Sequence, residues 1–585
     1  MSATNHSPAN AAASAAFYRW MPKSVICLRN YDAQTFLKDL VAGVTVGLVA
    51  LPLAMAFAIA SGLTPQAGIY CAMVTGFIIS ALGGSRVQIG GPTGAFVVVV
   101  AGIIATYGVA GLFMCTMMAG VLLVLAGLTG LGSAVKFIPR PVVVGFTNGI
   151  ALLIASTQIK DFFGISLEHV PAAFLPRMAA LARNFSSFSV AASVLALLSL
   201  LLLVLFSAHI KRAPGMIVVL FCGTAAAWAL GLHIETIGSR FGGIPQGLPH
   251  MVVPQFHVEI LHTLLRPAIT IAVLGAIESL MSAVVADRMT GDRHNPNVEL
   301  MAQGLANIVS PLFGGLPATG AIARTATNVR SGGQTPVAGM IHAVTLLGVL
   351  LFAAPLARFI PMAVLAAILM MVSYNMGEWG QIPELLKLST ADISVWLVTL
   401  GLTVMADLSV AVEVGMILAA FLYIRKVTIT TTVTRVTEEY IRHGRAHSLQ
   451  DKVFPAYLTI FRIHGPFLFG ATDKISAISD RIPELPQVVI LRLRNMNAID
   501  ATGVLALERL AVELHASGRA MILCGAMRQP ARLMKQAEFE QHVGRDNICA
   551  NIEEALARAE QLHASGPLVP ANAQFQHVLP VVADK

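Results

Sequence analysis

Charge is what this sequence has least of. Asp, Glu, Lys and Arg make up 12% of its 585 residues, and hydrophobic residues 56%, against a norm of about 25% charged in soluble domains. A chain so poor in polar surface is neither disordered nor a purely soluble enzyme. Cysteine is sparse as well. The six (Cys27, Cys71, Cys115, Cys222, Cys524 and Cys549) lie far apart with no CxxC and no metal-ligand spacing, so they read as small buried hydrophobes rather than disulfides or zinc ligands. The net charge of +8 is spread over loop ends, and no basic run is long enough to recruit nucleic acid. Residues 1–16 lack the charged-then-apolar pattern of a cleaved leader, so the first apolar segment is expected to remain as a spanning helix. No nucleophile–base or metal constellation is read in the carboxy-terminal part, so an enzyme is not expected, nor is a cofactor.

The charge that is present is unevenly placed. Residues 426–585 hold 34 of the 70 charges in 160 positions, and residues 1–425 hold the other 36. Two bodies follow one another: a membrane domain, then a soluble domain of ordinary composition. We expect a cytoplasmic amino-terminal segment at 1–35, a membrane transport domain at 36–426, a linker at 427–450, a soluble domain at 451–562 and a tail at 563–585. Gly/Pro punctuation divides the apolar part into about fourteen segments. They fall near 40–62, 66–83, 92–106, 109–131, 138–159, 188–208, 214–233, 267–286, 299–315, 319–330, 336–356, 359–376, 391–407 and 409–425. Two are too short to cross fully, those opening at Pro92 and Thr319, and both follow Gly/Pro clusters.

Those two segments repeat a pattern. Thr93-Gly94-Ala95 recurs as Thr319-Gly320-Ala321, 226 residues on, and Lys136-Phe137-Ile138-Pro139 recurs as Arg358-Phe359-Ile360-Pro361, 222 residues on. Near-equal offsets indicate a unit of seven segments used twice. An odd-numbered unit used twice runs in opposite senses, an inverted repeat with its site at the bilayer midplane between interrupted helices. With both termini cytoplasmic, the inside loops carry Arg86, Lys136, Arg140, Lys211, Arg212, Arg288, Arg293, Arg330 and Lys387. The outside loops carry fewer (Lys160, Arg177, Arg183, Arg240, Arg266 and Arg358), which favours that orientation.

A helix beginning in mid-membrane presents free N–H groups and the positive end of its dipole. Thr93, Gly94, Ala95 and Phe96 open one such half-helix, and Thr319, Gly320 and Ala321 the other. Facing each other, they can hold an anion, with glycine permitting close approach and threonine adding hydroxyl donors. The bland alternative is helix packing by small residues. Arg324, five residues after Thr319, either supplies positive charge to that site or snorkels to the surface. Glu278 sits near the middle of its span, where a carboxyl can take up a proton or be held ionised by a cation.

These residues resemble those of the sulfate permease (SulP) family of anion transporters from about Trp20 to Glu560. The carriers are Asp39-Leu40-Val41-Ala42-Gly43, Leu51-Pro52-Leu53-Ala54-Met55-Ala56, Gly90-Gly91-Pro92-Thr93-Gly94-Ala95, Gly275-Ala276-Ile277-Glu278-Ser279-Leu280 and the stretch Asn307 to Gly332. The resemblance implies an all-α polytopic membrane domain of seven-plus-seven segments, divided into core and gate. It implies an anion site at Thr93–Phe96 and Thr319–Arg324, elevator motion, coupling to H⁺ or Na⁺ through Glu278, and a homodimer. Leu53 stands where many members have Gln, Phe57 where many have Tyr and Ala323 where many have Ser, so the pocket is less polar than is usual.

The soluble part resembles the STAS domain, an α/β layer. Tyr457–Ile463, Val488–Leu493 and Ala520–Cys524 read as strands, and Thr472–Ile482 and Gly503–Ala516 as helices. Asp500 or Thr502 can cap the second helix; in the anti-sigma antagonists the matching loop carries a phosphorylated hydroxyl, which places it at Thr502. The expectation is a secondary transporter of sulfate or a related small anion in the bacterial inner membrane, with Na⁺ as a possible coupling ion. Bicarbonate or a C4-dicarboxylate is the alternative cargo. An anion channel and a nucleobase permease are the rival classes.

Overall fold

The computed structural model describes residues 20–29, 31–133, 139–167, 170–171, 173–209, 215–247, 249, 251, 258–406, 408–436 and 455–566. Lys136–Ile138 of the second repeat match, Asp407, most of the expected linker and most of the tail lie outside them. The chain divides into two compact units, Met1–Ala419 and Ala420–Lys585.

The first unit is helical. After a short helix α1 (Lys23–Leu28) come α2 (Ala33–Ala60), α3 (Pro65–Leu82), a two-residue strand β1 (Gly90–Gly91), α4 (Gly94–Leu128) and α5 (Arg140–Phe163). Then follow α6 (Phe174–Arg183), α7 (Val190–His209), α8 (Gly215–Ala229), α9 (Ile237–Phe241), α10 (Leu261–Thr290) and α11 (Pro296–Val309). A second two-residue strand β2 (Thr319–Gly320) leads into α12 (Ile322–Arg330), α13 (Val337–Phe352) and α14 (Met362–Met376). The short α15 (Ile382–Leu385), α16 (Thr390–Met405) and α17 (Leu408–Thr430) complete the helices before the soluble fold. Among the described residues, seven helices are long and apolar enough to cross a bilayer by themselves, and α8, α13 and α16 are shorter apolar helices. Among the described residues each of the fourteen expected segments overlaps a helix, the one expected at 319–330 opening on β2. The pair expected at 92–106 and 109–131 is one 35-residue helix broken at Gly108, whose φ of 70° is open to glycine.

Packing within this unit relies on small residues, because lipid tails offer no hydrophobic drive for helices to associate. A Cβ on Gly120 of α4 would lie 2.6 Å from the Gly304 carbonyl oxygen of α11, and one on Gly304 would lie 2.5 Å from the Gly120 carbonyl. The two backbones touch. At one loop end, Arg240 of α9 makes a fork to Asp161 (Nη2–Oδ1 2.6 Å, Nη1–Oδ2 3.1 Å) and also binds Glu235 through Nε (2.7 Å). Thr236 and Ser239 form a capping box on α9, and the loop is tied to the start of α14 by Ile237 N–H to the Ile360 carbonyl and Met362 N–H to the Glu235 carbonyl, both 2.9 Å. Burial opposes the Glu235 carboxylate, but the Arg240 hydrogen bond and charge hold its pKa below the ordinary value.

The second unit is an α/β layer with strand order β3-β4-β5-β6-β7: β3 (Thr432–Arg435), β4 (Leu458–His464), β5 (Val488–Asn495), β6 (Ala520–Cys524) and β7 (Ile548–Cys549). Only β3 runs antiparallel; the others are parallel, with Leu458 opposite Val488 and Val488 opposite Ala520. Val488–Leu493 is buried on both faces, as its unbroken apolar run requires. The helix expected at Thr472–Ile482 spans only Asp473–Ser479 and is followed by a 3₁₀ turn at Ile482–Glu484, since Pro483 cannot continue an α-helix. The second expected helix is Ala501–Ala516, capped by Asp500, whose Oδ1 accepts from Gly503 N–H at 2.8 Å. Thr502 is exposed in its first turn.

Gly304→Val should lower the unfolding free energy by roughly 1–3 kcal/mol through overpacking, read as a lower melting temperature in detergent. The Glu235 contribution to stability is present above the ordinary carboxylate value of 4.5 and is lost as pH falls through the depressed folded value. Glu235→Gln should therefore flatten the acid limb of the melting-temperature profile.

Candidate functional site

Two backbone segments that cannot be helical meet inside the helical unit. β1 and β2 pair antiparallel, Gly90 opposite Gly320 and Gly91 opposite Thr319. Each strand runs straight into a helix, so the pairing sets both helix starts at one place. Thr93 is the N-cap of α4 and Ala321 the N-cap of α12. The ladder extends by one bond, Ala321 N–H to the Ile89 carbonyl at 2.8 Å. Two helix N-termini, each with first-turn N–H groups that have no partner within the helix, therefore converge on one small region.

Arg324 lies in the first turn of α12, is 2% exposed and does not reach the surface. Its Nη2 donates to the Pro92 carbonyl, just before the α4 N-terminus, while Nη1 has no hydrogen-bond partner. Gly91 makes room for it: its φ is 148°, and a side chain there would run into Nη1. Gly320 is similarly pressed by the Gln88 amide.

The threonine hydroxyls do not face an anion as the sequence suggested. Thr93 Oγ1 donates to Glu278 Oε2 at 2.7 Å, and Thr319 Oγ1 donates to the Gly275 carbonyl at 2.8 Å. Buried hydroxyl protons go to the nearest strong acceptor, here a carboxylate and a backbone carbonyl of α10. What remains for a ligand is backbone N–H and guanidinium. The Thr93–Glu278 bond also joins the coupling candidate to the rim of the anion candidate. Of the apolar members, a Cβ on Gly94 would lie 3.3 Å from Phe57 and 2.8 Å from Met376 Sδ, and one on Gly275 would lie 3.6 Å from Phe96. Leu53, Phe57, Ala95 and Phe96 are buried in one apolar cluster. A cavity of about 310 Å³ adjoins it, running from Ala56 and Val97 to Lys160, Arg177 and Arg240.

A polar scaffold that the motif reading passed over holds the two strands. Glu299, buried on α11, accepts from Gly84 N–H (2.9 Å), Ser85 N–H (3.1 Å) and Gln303 Nε2 (2.9 Å). Asn307 clamps Ala318 through both N–H and carbonyl, each at 2.8 Å. Gln88 Nε2 donates to Ser279 Oγ at 3.1 Å. The signal was legible: Glu299, Gln303 and Asn307 recur every four residues on a largely apolar helix. Among the described residues no group of His, Cys, Asp or Glu could hold a metal ion.

The sulfate permease family profile matches residues 36–399, more than half of the chain, and the STAS domain profile matches 424–555. The chain belongs to the sulfate permease family. It is 38% identical over 522 residues to a putative sulfate transporter, YvdB, of Bacillus subtilis, covering 89% of this chain and 97% of that one. It is 32% identical to the bicarbonate transporter BicA of Synechocystis, covering 89% of this chain and 94% of the relative. The solved transmembrane domain of a cyanobacterial BicA superposes with a TM-score of 0.59 at 34% identity, over 66% of this chain and 98% of that chain. SLC26A9 superposes with a TM-score of 0.82 over 95% of each chain, and at 17% identity it speaks for the fold alone. This sulfate permease family member is therefore a polytopic anion-transporter fold with a carboxy-terminal STAS domain.

Hydrogen bonds to a charged group contribute about 1.5–3 kcal/mol, which converts to roughly tenfold or more in affinity. Arg324→Ala should weaken sulfate or bicarbonate binding by that factor in isothermal titration while leaving elution on size exclusion unchanged.

Proposed function

We propose that this protein is a secondary active transporter of a small anion, sulfate first and bicarbonate next, driven by an H⁺ or Na⁺ gradient. The observation that carries the reading is the convergence of two helix N-termini and Arg324 on the β1–β2 pair. That arrangement offers positive potential and N–H donors without a shape-selective frame, which suits a compact oxyanion better than a base edge. Thr93, Gly94, Ala95 and Phe96, Gly320 and Ala321, with Leu53 behind them, form the cradle; Thr319 shapes it through its bond to Gly275. The names of the relatives supply both cargo candidates, sulfate and bicarbonate.

Glu278 is the coupling group in this reading. Its carboxylate accepts from the hydroxyl of the residue that caps α4, so a change in its charge is felt where the anion binds. A carboxyl in that position favours gradient-driven transport over a passive channel. Alternating access is of the elevator kind, α2, α3, α4, α10, α11, α12 and α13, which pack on one another, moving as a body past α5 and α14. The protein works as a homodimer in the inner membrane, with the STAS domain cytoplasmic and Thr502 a phosphorylation candidate at a helix N-terminus. No catalysis is assigned.

Glu278→Gln keeps size and hydrogen bonding but cannot titrate. In proteoliposomes it should lose anion accumulation under an inward H⁺ or Na⁺ gradient, each run separately, and retain counterflow exchange. Accumulation equal to wild type under both gradients removes Glu278 from coupling.

A further inference from the structure

Behind the candidate site lies a second titratable side chain that the coupling reading does not use. His342, on α13, is fully buried, and neither ring nitrogen has a hydrogen-bond partner. The Gly339 carbonyl one turn earlier lies near the ring. Two more unpartnered buried polar atoms accompany it, Arg324 Nη1 and Ser80 Oγ, on residues 2% and 3% exposed. All three pack along one face of α3, at steps of four residues and so about 6 Å apart. The position a Cβ would take on Gly91, where Arg324 intrudes, is 3.5 Å from Ala72 Cα. A Cβ on Gly76 would lie 3.1 Å from His342 Cε1, 3.2 Å from Nδ1 and 3.3 Å from the Gly90 carbonyl. Ser80 meets Gly339. His342 thus stands one helical turn from Arg324, against the same strand that holds the guanidinium.

Filling this space asks only for an apolar side chain; a buried imidazole without a partner is costly, and such groups are kept where something binds them. The elements packed against α13 are α2, α3 and the 3₁₀ turn Ala354–Phe359, and Arg324 of α12 reaches β1 beside them. Their charged and titratable groups are Lys38 and Asp39, Tyr70 and Cys71, Arg324 and Arg330, and Arg358. Asp39 is occupied by Thr335, Gln334 and Tyr31, and Cys71 Sγ by the Leu316 carbonyl. Of these, Arg324 reaches the same strand one turn along α3 from the ring, and among the described residues it has no carboxylate partner. Two positive charges in one dry pocket repel; an anion on Arg324 removes that repulsion.

We propose that His342 is a proton-binding site linked to the anion site through Arg324: it takes a proton from water when the anion binds and returns it to water when the anion leaves. The transfer forms one N–H bond on the free ring nitrogen and breaks it again, with the proton travelling beside the anion's negative charge. Linkage makes the effect reciprocal, so protons tighten anion binding as the anion tightens proton binding. This deepens the transport reading and rests on it.

The test uses the full chain, with sulfate and bicarbonate as the ligands titrated. Wild type should bind whichever it accepts more tightly at about pH 6 than at about pH 8, by up to about tenfold per pH unit for one linked proton. His342→Gln should lose that slope, and Glu278→Gln should keep the part due to His342. A second measurement needs no variant: hydrogen–deuterium exchange at the His342 ring carbon, followed by mass spectrometry, should change its pH dependence when the anion is added. A slope in His342→Gln equal to wild type, or ring exchange indifferent to the anion, overturns the proposal while transport stands. Wild type that binds neither anion overturns both.

Discussion

Four residues of β-structure set the terms for the membrane unit. A chain in hydrocarbon must satisfy its backbone polar groups internally, and helices do so by default. Gly90–Gly91 and Thr319–Gly320 are not helical, and each satisfies the other. Their pairing fixes where α4 and α12 begin, which carbonyl Arg324 can reach, and which face of α3 the strand rests on. The Glu299 and Asn307 clamps hold this short ladder in place, and three of its four residues are glycines.

The electrostatic character of the site follows from that geometry. The ladder brings together two dipole ends and a guanidinium, all positive, while the hydroxyls that would have lent directional selectivity are turned to Glu278 and Gly275. On the function proposed above, such a site reads charge and size before shape. It is consistent with a family whose named relatives include transporters of sulfate and of bicarbonate, anions that differ in geometry more than in what a positive cradle demands.

Much of this was legible in the sequence. Lack of charge gave the membrane unit, the Thr-Gly-Ala repeat gave the paired half-helices, and the positions of Arg324 and Glu278 singled them out. What escaped was where side chains spend their hydrogen bonds. Periodicity places Thr93 at a helix start but cannot say that its hydroxyl serves a carboxylate 185 residues away. The scaffold of Glu299, Gln303 and Asn307 was visible as a four-residue period. His342 was passed over because a lone histidine in an apolar run carries no motif; only the third dimension places it beside Arg324. In the soluble unit the parallel strands were plain from their apolar runs, whereas the antiparallel edge strand β3, four residues of mostly exposed Thr, Val and Arg, gave no such signal.

The ladder also bears on how the protein is made. Gly90 pairs with Gly320, 230 residues later, and Gly120 of α4 rests on Gly304 of α11. At about 5–20 residues per second, the first strand waits roughly 10–50 seconds for its mate. During that interval the first seven segments sit in the bilayer with the polar backbone of β1 unpaired. Biogenesis thus passes through a long-lived half-molecule that must be sheltered, by the insertion machinery or by water drawn into the break, until the second half arrives to complete it.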